Sequence, residues 1–136
     1  MGAADLDVLK QAYEAFGRGD VPGVLSAFTD DIEWYEAEGL PYGGLYRGPQ
    51  EVAEKVFGPV VMDIPDFSVT PEEYISNGEQ VAVVARYAGT GQQSGERLDL
   101  QVVHVWDFRD GKLSRFRQFI DTVKFREVVP ESAAVA

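Results

Sequence analysis

Apolar positions in the first part of the chain recur at spacings of three and four residues, which is typical of amphipathic helices. The first of these stripes comprises Leu6, Leu9, Tyr13 and Phe16. It ends at Gly17, and Asp20 follows as the N-cap of a second, short helix. Pro49 opens a third helix, whose apolar side runs through Val52 and Val56. We expect these three helices to pack onto a sheet.

The remainder of the chain alternates apolar and polar residues with the period of two that predicts β-strands. The predicted strands cover residues 32–36, 67–70, 73–76, 80–87, 97–108 and the segment from 112 onward. Asn77-Gly78 and Asp110-Gly111 are typical of tight hairpin turns, whereas residues 39–48, rich in Gly and Tyr, predict a long loop that frames a site. Helices followed by a meander of antiparallel strands indicate an α+β fold, with helices covering one face of a curved sheet.

Composition and charge narrow the function classes. The chain has 136 residues, which fits one domain spanning 1–136 with a substantial core. It contains no cysteine, so neither disulfides nor thiolate metal sites can form. A net charge of -11 opposes binding to nucleic acids and to anionic membranes. Because the chain lacks a signal-peptide pattern, we expect a soluble, cytoplasmic protein, with residues 130–136 as a frayed tail.

The last predicted hairpin contains the only histidine, His104, in the middle of an aromatic and β-branched strand. Alternation places His104 on the apolar face of the sheet, where a histidine is either a hydrogen-bonded core residue or a catalyst. A regular hairpin would set Arg117 opposite His104 and bury its charge, at a cost on the order of several kcal/mol. A β-bulge near Ser114 would instead bring Gln118 beside His104, and this is the arrangement we predict.

Glu36 is a second candidate because it extends the apolar strand face formed by Ile32 and Trp34. Desolvation there would disfavour the ionised carboxylate and raise its pKa, which suits a general base near neutral pH. Alternatively, Glu36 lies on a solvated rim next to Glu38. With one histidine and no cysteine in the chain, we expect no dedicated transition-metal site.

A known superfamily combines, in the same order, sequence patterns found here at residues 17–20, 28–34, 44–48 and 106–121. Through them the chain resembles the SnoaL-like, ketosteroid isomerase-like branch of the nuclear-transport-factor-2-like superfamily, over residues 5–128. The resemblance implies a cone-shaped, mostly antiparallel sheet whose concave face is covered by three N-terminal helices, enclosing an apolar pocket. It also implies a homodimer and an activity without a metal or an organic cofactor.

The resemblance to ketosteroid isomerases implies roles for individual residues. Glu36 falls where these isomerases keep their general-base carboxylate, and His104 falls where they keep the protonated acid of the oxyanion hole. Ala12 stands in place of their oxyanion tyrosine on the first helix, a role that Tyr13 or Tyr46 could take. Of the residues that ketosteroid isomerases use for proton transfer, Glu36 and His104 thus have matching positions, whereas the helix tyrosine has none.

Two other activities of the superfamily fit less well. SnoaL-type polyketide cyclases resemble this chain at His104 but place a catalytic aspartate where Gln118 stands, and glutamine cannot exchange a proton. Limonene-type epoxide hydrolases need an Asp-Arg-Asp triad, whose positions hold Ala85, Tyr87 and Gln118 here. We therefore do not expect limonene-type epoxide hydrolysis.

The first functional hypothesis is a cofactor-independent enzyme of the isomerase or polyketide-cyclase kind. It would transfer a proton next to the carbonyl of a small apolar substrate in an enclosed pocket. Its catalytic residues would be Glu36, His104 and Gln118. The residues expected to bind the substrate are Tyr13, Trp34, Tyr42, Tyr46, Trp106, Phe116 and Ile120. The alternative is a non-catalytic carrier or sensor of small molecules on the same fold.

Two expectations concern the outside of the sheet. Val103, Val105 and Phe119 alternate with the inward-facing residues, so they lie on the outer face, where they favour homodimerisation. Asp121 is the one carboxylate at the end of the final strand, and we expect it at the rim or the strand end.

Overall fold

One mixed, six-stranded sheet forms the frame of the molecule, which the computed structural model describes for residues 3–132. Its strands are β1 (Phe28–Glu36), β2 (Gly44–Arg47), β3 (Ser68–Ser76), β4 (Gln80–Thr90), β5 (Arg97–Arg109) and β6 (Lys112–Ile120). The spatial order is β2-β1-β6-β5-β4-β3. Only β1 and β6 run parallel, and every other neighbouring pair is antiparallel. The predicted α+β class with a curved, mostly antiparallel sheet is confirmed.

The helices flank this sheet. They are α1 (Ala3–Gly17), α2 (Val21–Leu25), α3 (Pro49–Val52), a π-helical turn (Ala53–Phe57), α4 (Gly58–Asp63) and α5 (Thr122–Val128). The third predicted helix is therefore one helical segment with a π turn in its middle. Pro59 lacks an N–H, and its ring would clash with a carbonyl four residues earlier, which favours the wider turn. The Gly58 N–H accordingly bonds the carbonyl of Ala53, five residues back.

Several boundaries differ from the sequence-based prediction. The predicted loop at 39–48 contains the short strand β2, which pairs with β1. Residues 68–76 form a single strand whose register shifts between Pro71 and Glu73, where two strands were predicted. The C-terminal helix α5 was not predicted, since its seven residues are too few to show a clear apolar period. Asp121 is its N-cap and accepts a hydrogen bond from Lys124 N, which fits the expected strand-end position.

The predicted β-bulge in the last hairpin is confirmed. Arg109 pairs with Lys112 next to the turn, and the register shifts between Asp107 and Phe108, so that His104 pairs with Gln118. Ser114 is the extra residue on β6. The bulge turns Arg117 to the outer face and brings Gln118 into the core, in agreement with the cost of burying the Arg117 charge.

The core lies between the inner face of the sheet and the helices. Leu9 of α1, Ile32 of β1 and Val83 of β4 are each fully buried there. Along β4, burial alternates with the period of two, and the inward set includes Ala85 and Tyr87. Tyr87, a polar residue of the candidate site, therefore lies inside the core.

The chain end also packs, at least as far as Ser132. Ser132 is fully buried, and its hydroxyl donates to Asp63 Oδ2 at 2.5 Å. The Tyr42 hydroxyl donates to the same oxygen at 2.7 Å. Within the segment expected to be a frayed tail, Ser132 is thus held by the buried Asp63 side chain. Residues 133–136 lie outside the described part of the chain.

Among residues 3–132, no helix has the length and apolar character that crossing a bilayer requires. The cytoplasmic location stays a prediction.

The cap of α5 yields a stability prediction. Asp121→Ala removes the side chain that accepts from the Lys124 N–H, so we expect the free energy of unfolding to fall by about 1 kcal/mol. Chemical denaturation measures this loss. Asp121→Asn is the matched control, since asparagine caps helices about as well as aspartate. An equal loss in both variants would contradict the capping role.

Candidate functional site

A cavity of about 70 Å³ lies between the helices and the inner face of the sheet. Its walls are mostly apolar and include six phenylalanines: Phe16, Phe28, Phe57, Phe67, Phe116 and Phe125. Five polar side chains also reach it: Tyr13, Glu36, Tyr87, His104 and Gln118. A mostly apolar cavity with a few convergent polar groups is typical of small-molecule sites.

His104 lies at the centre of the polar group, on β5, with only 4% of its surface exposed. Its Nδ1 is 2.6 Å from the Tyr13 hydroxyl, and its Nε2 is 2.6 Å from the Tyr87 hydroxyl. Burial lowers the pKa of His104 to about 3, because the charged imidazolium is poorly solvated there. The imidazole is therefore neutral at neutral pH.

Each tyrosine receives a further hydrogen bond. Trp106 Nε1 donates to the Tyr13 hydroxyl at 2.9 Å, and Gln118 Nε2 donates to the Tyr87 hydroxyl at 2.7 Å. Trp106 and His104 are two residues apart on β5, so strand alternation places both side chains on the same face. Tyr13 reaches this face from α1.

Gln118 connects the strands at the centre of the sheet. Its Oε1 accepts from the Ala37 N–H at 3.0 Å, which fixes which end of the amide is the oxygen. The NH₂ group consequently points to Tyr87. Gln118 also lowers the pKa of the neighbouring Glu36 carboxyl, against the larger effect of burial. With its carbonyl and its amino group both engaged, Gln118 holds its neighbours in position.

Glu36 lies at the end of β1 and is 5% exposed. Trp34 is two residues earlier on the same face, and its Nε1 donates to Glu36 Oε1 at 2.9 Å. Burial raises the pKa of Glu36 to about 7, and the hydrogen bonds from Trp34 and Gln118 limit the rise. A carboxylate has about four acceptor sites, so these two bonds leave room for a proton from a ligand.

These contacts form one continuous chain across the sheet. It runs from the Ala37 N–H through Gln118, Tyr87 and His104 to Tyr13. Glu36 and His104 face the same cavity. The three residues proposed as catalytic from the sequence therefore converge on one site.

The residues expected to bind substrate divide into two groups. Tyr13, Trp34, Trp106 and Phe116 line the cavity. The other three are not among the residues that line it: Tyr42, Tyr46 and Ile120.

The contacts of these three side chains account for their positions. The Tyr42 hydroxyl is held by Asp63, and the Tyr46 hydroxyl donates to the Tyr42 carbonyl at 2.5 Å, so both tyrosines brace the loop before β2. Ile120, the last residue of β6, packs partly buried against the edge of the core.

Tyr87 is the site residue that the sequence analysis missed. In the comparison with limonene-type epoxide hydrolases, Tyr87 stands only as a residue that does not match their Asp-Arg-Asp triad. The signal was present in β4, since Val81, Val83 and Ala85 alternate with outward residues and Tyr87 continues the inward set. A tyrosine on an otherwise aliphatic inward face needs a hydrogen-bond partner for its hydroxyl.

The size of the cavity limits its occupant. An apolar cavity of roughly 150 Å³ can hold benzene, so a cavity of about 70 Å³ needs some movement of its walls to admit a ring. Val56 and Phe57 of the π turn form part of that wall. Within the described residues 3–132, no group of three or more His, Asp or Glu side chains is arranged to hold a metal ion.

The chain is similar to proteins from several bacteria. It is 26% identical to an uncharacterized protein of Mycobacterium tuberculosis (strain H37Rv) over 116 residues, covering 85% of this chain and 88% of that protein. The crystal structure of an NTF2-like protein of unknown function from Burkholderia pseudomallei is 31% identical, with a TM-score of 0.86, covering 94% of this chain and 98% of that one.

The crystal structure of TerC, co-crystallized with polyporic acid, is 28% identical, with a TM-score of 0.85. The match covers 95% of this chain and all of the TerC chain. These likenesses agree with the resemblance drawn from the sequence. A family model described as a SnoaL-like domain matches residues 9–116, and the chain therefore belongs to the family of SnoaL-like domains.

Proposed function

We propose that this protein is a cofactor-independent enzyme that moves a proton next to the carbonyl group of a small apolar substrate. The observation that carries this proposal is Glu36, a buried carboxylate facing an apolar cavity with its pKa raised to about 7. A general base works best when its pKa lies near the operating pH. Glu36 has this property because of its burial.

In the proposed reaction, ionised Glu36 takes a proton from the carbon next to the substrate carbonyl. The electron pair of the broken C–H bond forms a C=C bond, and the carbonyl oxygen gains the negative charge of an enolate. Protonated Glu36 then returns the proton, either to the same carbon or to another position of the conjugated system. The net reaction is an isomerisation or an exchange, without any redox change.

The polar cluster around His104 is placed to stabilise the enolate oxygen. Its hydroxyl groups, on Tyr13 and Tyr87, face the same cavity as Glu36. Donors preorganised in a water-poor site stabilise developing negative charge strongly, and losing one typically slows a reaction about 10²- to 10³-fold. His104 itself is neutral and buried, so it supports these donors.

The cavity favours an apolar substrate. Its aromatic walls, including Trp34 and Phe116 stacked at 3.7 Å between ring centroids, present little polar surface to a ligand. The co-crystal of TerC with polyporic acid supports a small-molecule ligand for a protein of this fold.

A second candidate function is binding without turnover, as a carrier or sensor. It is favoured by Gln118, whose oxygen and amino group are engaged with the Ala37 N–H and the Tyr87 hydroxyl and whose amide cannot act as an acid or base near neutral pH. Such a protein would be stabilised by its ligand and would leave it unchanged.

Deuterium exchange separates the two functions. With acetone, cyclopentanone and cyclohexanone in deuterated water, we expect exchange at the carbon next to the carbonyl above the buffer rate. The rate should rise with pH to a plateau, with a midpoint near pH 7, because only ionised Glu36 accepts a proton. Glu36→Gln should lower it by about 10²-fold or more. NMR or mass spectrometry follows the exchange.

Glu38→Gln is the matched control, because Glu38 is exposed and lies only two residues along the chain. Its exchange rate should equal that of the wild type. Ligand-induced thermal stabilisation with no exchange above buffer for all three ketones would favour the binding function.

The raised pKa of Glu36 also predicts a pH-dependent stability that needs no substrate. The folded state holds the proton of Glu36 up to about pH 7, whereas the unfolded state releases it near pH 4.5. Stability contributed by this group is therefore complete below pH 4.5 and falls as the pH rises. We expect the unfolding free energy of the wild type, relative to Glu36→Gln, to decrease by about 3 kcal/mol across this window.

The comparison with Glu36→Gln removes the opposite effect of His104. Its lowered pKa makes stability fall as the pH drops from 6.5 toward 3, since only the unfolded state takes up that proton. Denaturant titrations of both proteins at several pH values measure the difference. A constant difference between pH 4.5 and 7 would contradict the raised pKa of Glu36.

We also propose that the protein forms a homodimer through the outer face of the sheet. Phe119 is 54% exposed there, beside Val103 and Val105. On the same face, Arg117 Nε is buried without a hydrogen-bond partner among the described residues. Light scattering should give a dimeric mass for the wild type and a monomeric mass for Phe119→Asp. A monomeric wild type at micromolar concentration would contradict the dimer.

A further inference from the structure

Counting the hydrogen-bonding protons of Tyr13, His104 and Tyr87 shows which groups donate and which accept. A neutral imidazole carries one N–H, so one ring nitrogen donates and the other accepts. Both nitrogens face a tyrosine hydroxyl at 2.6 Å. One tyrosine must therefore donate its O–H to His104, while the other accepts the N–H of His104.

The outer ends of this arrangement are fixed. Trp106 has only an N–H to offer, so the Tyr13 oxygen accepts from it. Gln118 is oriented by the Ala37 N–H, so it presents its NH₂ group, and the Tyr87 oxygen accepts from that. Neither neighbour can accept the O–H of its tyrosine.

Two arrangements satisfy these constraints. If Nε2 carries the proton, Tyr13 donates to Nδ1, and the Tyr87 oxygen accepts from both Gln118 and His104. If Nδ1 carries it, Tyr87 donates to Nε2, and the Tyr13 oxygen accepts from both Trp106 and His104. In each arrangement the tyrosine that accepts twice keeps an O–H with no partner inside the chain of hydrogen bonds.

We propose that Tyr13 and Tyr87 are alternative hydrogen-bond donors to a ligand oxygen, and that the tautomer of His104 selects between them. Both side chains line the cavity, so the spare O–H can turn toward an occupant. His104 is a positioning residue in this scheme, because it acts through the tyrosines. This inference extends the proposed function. That the ligand is a substrate rests on the proposed function.

The scheme specifies the chemistry of the ligand. It must present an acceptor, such as a carbonyl oxygen or an enolate oxygen, since the site supplies one spare donor in either tautomer. With Tyr87 as donor, the oxygen lies at the end of the cavity near Gln118. With Tyr13 as donor, it lies near Trp106. The site can therefore hold a carbonyl compound in two orientations without a change in charge.

The ionisable groups around His104 agree with a neutral ring. Tyr13 from α1 and Tyr87 from β4 contact it directly, Tyr74 of β3 faces Tyr13, and Glu36 of β1 is separated from it by Gln118 and Tyr87. None of the contacting groups is a carboxylate that would hold the imidazolium form.

Nitrogen NMR of the imidazole tests the proposal, because His104 is the only histidine in the chain. In the full-length protein labelled with ¹⁵N-histidine, we expect one neutral ring that does not titrate between pH 5 and pH 8. In Tyr13→Phe, the ring proton should lie on Nε2, where Tyr87 still accepts it. In Tyr87→Phe, it should lie on Nδ1, facing Tyr13, because a buried N–H needs an acceptor.

The two variants serve as matched controls, since each removes one hydroxyl and the tautomer should change in opposite directions. Circular dichroism verifies that each is folded, and the wild-type titration remains decisive if a variant does not fold. A ring that titrates near pH 6.5, or the same tautomer in both variants, would overturn the proposal. The measurement uses no substrate, so absence of exchange activity would count against the proposed function alone.

Discussion

A polar group left unpaired in an apolar cavity costs about 1–3 kcal/mol, so the polar side chains of such a cavity hold one another through hydrogen bonds. The site of this protein depends on that constraint. Its side chains come from α1 and four strands, and each hydrogen bond fixes the orientation of the next. The Ala37 N–H fixes Gln118, Gln118 orients Tyr87, and the tyrosines hold His104.

Desolvation acts on Glu36 and His104 in the same physical sense. It disfavours the charged form of both, which raises the pKa of the acid and lowers the pKa of the base. The consequence is a site that carries at most one negative charge near neutral pH, located at Glu36. An uncharged apolar ligand can enter such a site without bringing a counter-ion, which agrees with the proposed carbonyl substrate.

The fold and the centre of the site could be predicted from the sequence where one of two possible structures would have a high free-energy cost. The cost of burying Arg117 selected the bulged hairpin, and the bulge placed Gln118 opposite His104. Strand alternation likewise placed Glu36 inside. Tyr42 and Tyr46 do not line the cavity. Residues 39–48 read as a loop in the sequence, because the strand β2 within them has only four residues, too few to show a period from which the direction of a side chain can be read. Tyr87 was missed although its strand alternates clearly, because its hydroxyl was not considered as a partner for His104.

The parallel pairing of β1 with β6 affects how the protein is made. These two strands are neighbours in the middle of the sheet but lie at opposite ends of the chain. Contacts between distant parts of a chain are slow to form, because a long loop must close first. During synthesis, β1 leaves the ribosome long before Gln118 can reach Ala37. The site is therefore completed only after β6 has been translated, and a chain that ends before β6 leaves the Ala37 N–H without its Gln118 acceptor.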